Sequence, residues 1–129
     1  MTISIIIPVY NEENFIKELL IRVNNIKDLR KEVIVINDKS TDKSGCVINE
    51  FIDRHKSIRL INHDVNKGCA ASRNRIIKES KGKYVTFFDD DDFSKSNRIE
   101  IQYNKIKSFE KKNNTNLIAC YASGVRKYP

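Results

Sequence analysis

Four short apolar runs constrain this chain more than any other feature. Residues 3–9, 33–36, 58–61 and 84–88 are rich in β-branched and aromatic side chains, and a longer stretch follows each of them. In those stretches apolar residues recur every three or four positions, the period of a helix with one buried face. Phe15, Ile16, Leu19, Leu20, Val23 and Ile26 form the first such stripe, and Val47, Ile48, Phe51 and Ile52 the second. Ile76 and Ile77 mark the third, opened by Gly68, and Ile99, Tyr103, Ile106 and Phe109 the fourth. A strand that is apolar on both faces belongs in the middle of a parallel sheet, whose crossovers are usually helical. The pattern predicts an α/β protein, a Rossmann-like three-layer α/β/α sandwich with a mainly parallel sheet. A fifth strand is expected over residues 117–122. Punctuation fits this reading: Asn11, Ser40 or Thr41, and Ser94 or Ser96 are candidate N-caps, Glu12 and Glu13 suit the positive end of the first helix, and Gly82 suits a left-handed helix end.

The chain of 129 residues has the size of one domain, and no linker, repeat or low-complexity tract divides residues 1–129. The balance of 24 Lys and Arg against 17 Asp and Glu, a net charge of +7, favours anionic partners such as nucleotides, nucleic acid or an acidic membrane surface. Nucleic acid is the poorest fit, because no basic stripe interleaved with aromatics appears. Cys46, Cys69 and Cys120 are odd in number and widely spaced. They read as small buried apolar residues in a reducing compartment. His55 and His63 lack metal-ligand spacing and read as ordinary surface or strand-end residues. The apolar N-terminal run is cut short by Pro8 and has no basic lead, so neither a signal peptide nor a membrane span is expected, and the chain reads as cytoplasmic.

Chemistry gathers just after the strands. Pro8, Val9, Tyr10, Asn11 and Glu12 follow the first, Asn37 and Asp38 the second, Asn66, Lys67 and Gly68 the third, and Asp89, Asp90, Asp91 and Asp92 the fourth. Open α/β sheets bind ligands in the crevice at the carboxyl ends of their strands, so these segments are expected to line one edge. Four consecutive carboxylates repel one another unless solvated or relieved by a cation. Alternation along the chain lets Asp89 and Asp91 converge on one side, where they suit a hard divalent ion.

Four blocks in order carry a resemblance to the nucleotide-sugar-binding part of the inverting family-2 glycosyltransferases of GT-A fold. They are SIIIPVYNEE from Ser4, VIVINDKSTD from Val33, NKGCAASRN from Asn66 and GKYVTFFDDDD from Gly82. The resemblance implies transfer of a sugar from a nucleotide diphosphate, with UDP the expected nucleotide, to an acceptor hydroxyl in polysaccharide or glycoconjugate synthesis. Pro8, Val9 and Tyr10 would wall the base pocket, joined by Glu12, and Asp38 would accept a hydrogen bond from the base. Asn66, Gly68 and Arg73 would lie near the base, ribose or diphosphate. Asp89 and Asp90 would face the ribose, and Asp91, with Asp89, would hold Mg²⁺ or Mn²⁺ across the diphosphate. Implied partners are the nucleotide-sugar and a glycan or lipid-linked acceptor; the inner face of a membrane and a second copy of the chain are further expected contacts.

Some positions depart from the family pattern. Asn37 stands where an acidic residue is usual, Lys39 where Gly is usual in the turn, and Ser72 and Ile76 where small residues are common. The resemblance also implies a general base and an acceptor-binding half beyond residue 129, as in a longer enzyme from which this chain is a part. Two alternatives stay open on the sequence: a non-catalytic nucleotide-binding α/β module and a sugar-phosphate nucleotidyltransferase-like domain. The second is weakened by the lack of a Gly-rich, basic loop after the first strand.

Overall fold

A computed structural model of the chain describes residues 3–27, 30–88, 95–116 and 118–120. Within the unit Met1–Phe93, strand β1 (Ile3–Val9) leads to helix α1 (Ile16–Asn24), β2 (Lys31–Asn37) to α2 (Ser44–Arg54), β3 (Ile58–Asn62) to α3 (Cys69–Glu79), and β4 (Tyr84–Phe87) closes the series. The sheet order is β3-β2-β1-β4 and every pairing is parallel. The α/β reading and the parallel sheet are thus as predicted.

The order explains the layers. The chain steps outward from β1 to β3, then jumps back across the sheet to β4. Right-handed crossovers taken in opposite directions put their helices on opposite faces. Accordingly α1 packs on α2, while α3 packs on β1 and β2. Strand alternation divides the core in the same way. Ile6, Ile34 and Ile36 meet Ile76 of α3, with Ile61 against them. Ile5 and Ile7 pair in register with Val33 and Val35 and point to the other face, where α1 buries Ile16, Leu19, Leu20 and Val23 and α2 buries Ile48.

Several local expectations are corrected. Asn11 does not cap α1, which starts five residues later after a turn closed on the Glu12 carbonyl by the N–H groups of Phe15 and Ile16. Nor do Ser40 and Thr41 cap α2; Asp42 Oδ1 accepts from the Ser44 N–H instead, at 2.9 Å. Phe15 is exposed rather than part of the apolar stripe. The strand at 84–88 is less buried than its composition implies. β4 has only β1 beside it among the described residues, so Val85 and Phe87 are exposed while Phe88 is buried.

Gly82 is not a left-handed helix end, since among the described glycines only Gly68 has a positive φ. It is glycine because a Cβ there would lie 2.5 Å from the Ser4 amide nitrogen. That close approach lets the Gly82 N–H donate to Ser4 Oγ at 2.8 Å, and Ser4 in turn donates to Glu32, which also accepts from the Lys81 N–H. Burial pushes the Glu32 carboxyl up, but these donors and the nearby Arg59 outweigh it and hold it below the ordinary range. The knot ties the segment entering β4 to the amino-terminal ends of β1 and β2.

In the unit Ser94–Pro129, α4 (Arg98–Asn113) follows Asn97 and ends on Asn114 in the left-handed conformation, φ 47°. Ser96 lies in the preceding turn, and Ser94 is outside the described residues. Of the fifth strand expected over 117–122, residues 118–120 are described and carry no strand pairing; Gln102 Nε2 donates to the Cys120 carbonyl at 3.4 Å. The rest of that segment is outside the described residues. No described helix is long and apolar enough to cross a membrane.

Candidate functional site

The strand tips build the site by continuing the ladder one step past the sheet. The Asp38 N–H donates to the Val9 carbonyl at 2.9 Å, and the His63 N–H to the Asn37 carbonyl at 3.0 Å. Alternation then puts Asp38 and His63 on the same face as Ile36 and Ile61, at the top of the core covered by α3. There the side chains meet: His63 Nδ1–H donates to Asp38 Oδ1 at 2.7 Å, and both residues are buried. His63 is therefore a strand-end residue, as expected, but not a surface one.

Asp38 also receives the chain entering α3. Its Oδ1 accepts from the Lys67 N–H and its Oδ2 from the Gly68 N–H, each at 2.8 Å. No side chain of α3's own N-cap makes a capping bond. The carboxylate reaching over from β2 does that work, and negative charge is favoured at the positive end of a helix. Burial pushes the Asp38 carboxyl up, yet the bonds from His63, Lys67 and Gly68 prevail and hold it below the ordinary carboxylate value. It stays an ionised acceptor.

Gly68 has φ 86°, where a side chain would be strained, and a Cβ would meet nothing within 4 Å. Its glycine is thus explained by backbone conformation rather than by crowding. Asn66 Oδ1 accepts from the same Gly68 N–H at 3.1 Å and shapes the turn.

On the other side, the loops after β1 and β2 are stitched together. Asn11, at φ 53°, accepts through Oδ1 from the Thr41 N–H at 2.8 Å and the Asp42 N–H at 3.3 Å, and its own N–H donates to Ser40 Oγ at 3.1 Å. The Glu12 N–H donates to the buried Ser44 Oγ at 2.8 Å, and Glu13 Oε2 accepts from the Lys43 N–H at 2.9 Å. Asp42, bonded by Ser44 and the Glu13 N–H, is held below its ordinary value against the opposing effect of burial. Lys39, at φ 61°, takes the turn conformation that glycine adopts without strain.

Between these supports lies an open cleft of about 540 Å³. Pro8, Val9, Tyr10 and Glu12 line it from β1 and its loop, Asp38 from β2, and Asn66, Gly68 and Arg73 from the α3 side. All eight candidate ligand residues that fall among the described ones are brought to this one cavity. Tyr10 presents an open ring at 47% exposure. The Arg73 guanidinium lies 5.8 Å from the centre of the Phe87 ring, so it is stacked toward the end of β4.

Asp89, Asp90, Asp91 and Asp92 lie outside the described residues. Among the described residues no three His, Cys, Asp or Glu side chains gather as a metal site. As a donor set, Asp89 and Asp91 offer hard oxygens, which fit Mg²⁺ or Mn²⁺ rather than a soft metal.

Sequence reasoning missed three residues here. Cys69, read as buried, is exposed and lines the cleft, and Cys46 is likewise exposed. Ser72 lines it too; its place one turn before the core residue Ile76 was the available signal. His63 was legible only through the strand register that sets it beside Asp38.

A four-stranded parallel sheet of order β3-β2-β1-β4, with such a cleft beyond its carboxyl edge, is the architecture of a GT-A glycosyltransferase domain. The chain superposes on S. aureus TarS 1–349 in complex with UDP-GlcNAc with a TM-score of 0.72 at 27% identity, over 88% of this chain and 32% of that one. It superposes on the mannosyltransferase PcManGT from Pyrobaculum calidifontis, in complex with GDP-Man and Mn²⁺, with a TM-score of 0.65 at 26% identity, over 69% and 27%. Residues 4–127 match the glycosyl transferase family 2 pattern, and the chain belongs to that family. An uncharacterized glycosyltransferase of Haemophilus influenzae is 41% identical over 102 residues, which are 79% of this chain and 41% of that protein. The chain thus spans less than half of that relative. The nucleotidyltransferase-like alternative falls away.

Proposed function

We propose that this chain is the donor-binding part of a glycosyltransferase that holds a nucleotide diphosphate sugar, with UDP as the nucleotide, for inverting transfer to an acceptor hydroxyl. The observation that carries the reading is the cleft in which Tyr10, Asp38, Asn66 and Arg73 converge. Tyr10 supplies a stacking face for the base. Asp38 supplies a fixed anionic acceptor: of about four acceptor sites on a carboxylate, three are taken by His63, Lys67 and Gly68, and one on Oδ2 remains for a ligand N–H. Arg73 supplies a planar fork of donors matched to phosphate.

Asp91 and Asp89 would hold the divalent metal, and a bound metal offsets negative charge on a departing diphosphate. The relative bound to UDP-GlcNAc supports the uridine nucleotide, and the relative bound to GDP-Man and Mn²⁺ supports the metal. The acceptor on this reading is a glycan or lipid-linked chain in polysaccharide or glycoconjugate synthesis. On this reading the reaction runs in the cytoplasm, at the inner membrane face, and the +7 charge, which favours acidic headgroups, supports it.

Calorimetric titration with UDP, with and without Mn²⁺, tests this. Metal-dependent binding is expected, weakened far more by Asp91→Asn than by Asp92→Asn. No binding of any nucleoside diphosphate in the presence of Mg²⁺ or Mn²⁺ would refute it.

A further inference from the structure

Two serines of α3 and its end treat their hydroxyls differently. Ser80 Oγ donates to the Ile76 carbonyl at 2.8 Å, the usual return of a helical serine to the carbonyl four residues back. Ser72 has no such bond: the Gly68 carbonyl accepts the Ser72 N–H at 3.1 Å, the ordinary helix bond, and the hydroxyl is turned away from it. Ser72 is 1% exposed, and its Oγ has no hydrogen-bond partner among the described residues. Buried hydroxyls are normally satisfied, so an unmatched one in the wall of a ligand cleft points to a partner that arrives with the ligand. The same cleft is lined by Asp38, whose Oδ2 keeps one acceptor site open.

We propose that Ser72 is a ligand-contacting, specificity-determining residue: by a turn of its side chain toward the cleft, its hydroxyl donates to a carbonyl of the bound nucleobase beside the ring N–H that Asp38 accepts. The inference rests on the nucleotide-binding reading above and deepens it. An anionic acceptor next to a hydroxyl donor matches a base edge that presents a ring N–H beside a C=O, as uracil does. Cytosine, held at the same ring position, presents a bare nitrogen acceptor toward the Asp38 carboxylate, and two acceptors facing each other repel. Ser72 stands on a helix whose preceding turn is fastened to Asp38 through Lys67 and Gly68, so donor and acceptor are mounted on one support. An alanine at position 72 would leave the wall intact and remove only the donor.

The test is calorimetric titration of the chain and its Ser72→Ala variant with UDP and with CDP, in Mn²⁺. The original chain should prefer UDP over CDP by at least about tenfold. Ser72→Ala should lose about tenfold in UDP affinity and far less for CDP, the size expected for one hydrogen bond to a buried partner. Thermal melting by circular dichroism checks the fold of the variant, and alanine is favoured in helices. Ser72→Cys, which is slightly larger and donates weakly, should also weaken UDP. Unchanged UDP affinity in Ser72→Ala, equal losses for both nucleotides, or equal affinity of the original chain for UDP and CDP would each overturn the role of Ser72 while leaving the donor site standing. A chain that binds neither nucleotide would take down the donor-site reading and this inference together.

Discussion

His63 Nδ1–H reaches Asp38 Oδ1 across 2.7 Å, and both side chains are buried at the point where β2 and β3 run out beneath the start of α3. The bond joins two strand tips, and through Asp38 it joins both to the helix entry. Removing either partner leaves the other without that bond in a largely buried position. Asp38→Asn also replaces one of the two acceptor oxygens by an NH2 group, which must face either the Gly68 N–H or the Lys67 N–H and His63 Nδ1–H. It should cost roughly 2–3 kcal/mol of stability, read as a lower midpoint in urea at unchanged slope. His63→Ala should cost a similar amount. A loss below about 0.5 kcal/mol, the scatter of ordinary surface changes, would show that the clamp is not structural.

The same carboxylate sets an acid limit. Asp38, Asp42 and Glu32 are all held below their ordinary values of 3.8, 3.8 and 4.5 in the fold. A depressed carboxyl favours the folded state fully above its unfolded value, and that contribution is lost as pH falls through the folded one. Stability should therefore be flat from neutral pH to about 5.5 and then fall steeply from about 4.5 downward. In Asp38→Asn the fall should be shallower, because one of the three groups no longer takes up a proton on unfolding. Urea midpoints measured every half pH unit on both proteins check this, and parallel acid limbs would exclude Asp38 as a contributor.

Two glycines should fail for different reasons. Gly82→Ala places a carbon 2.5 Å from backbone, so the segment entering β4 must move and the Ser4 bond is lost; the expected cost is on the order of 2–4 kcal/mol. Gly68→Ala has open space and meets only the backbone penalty of φ 86°, ψ 165°, a region essentially confined to glycine, on the order of 1–3 kcal/mol. Denaturation of the two variants should rank them in that order. The reverse order would mean that α3 depends on its entry turn more than the sheet depends on its fit at Gly82.

The sheet was legible because buried parallel strands have no polar face to confuse the pattern. Ile5, Ile6 and Ile7 are all fully buried, as a run of three isoleucines between two layers must be. The strand-tip rule likewise brought Tyr10, Asp38, Asn66 and Gly68 to one cleft without any knowledge of distances, and the resemblance added Arg73. Local rules failed where side chains bond across the fold. Asn11 resembles an N-cap by its neighbours, but it serves residues thirty positions away. Gly82 resembles a helix terminator, yet the reason for it lies in Ser4, and Ser72 resembles an ordinary small helix residue until its missing partner is noticed. These contacts depend on register and crossover handedness, which no single segment encodes.

Asn11 allows a cleaner separation of causes. It combines a left-handed backbone, φ 53°, with a side chain that gathers the Thr41 and Asp42 N–H groups and donates from Nδ2 to Thr41 Oγ1 at 3.2 Å. Asn11→Gly keeps the backbone comfortable and deletes only the clasp; Asn11→Ala deletes the clasp and adds strain. The glycine variant should lose about 1 kcal/mol of stability, the net worth of an exposed side-chain network. The alanine variant should lose about 1–2 kcal/mol more, the penalty of a left-handed non-glycine residue. Both should weaken UDP binding to a similar degree, since the loop that carries Tyr10 and Glu12 is no longer fastened to the loop after Asp38. Equal stabilities for the two variants would show that the backbone at 11 relaxes freely. Undiminished UDP affinity in both would show that Tyr10 keeps its place without the clasp.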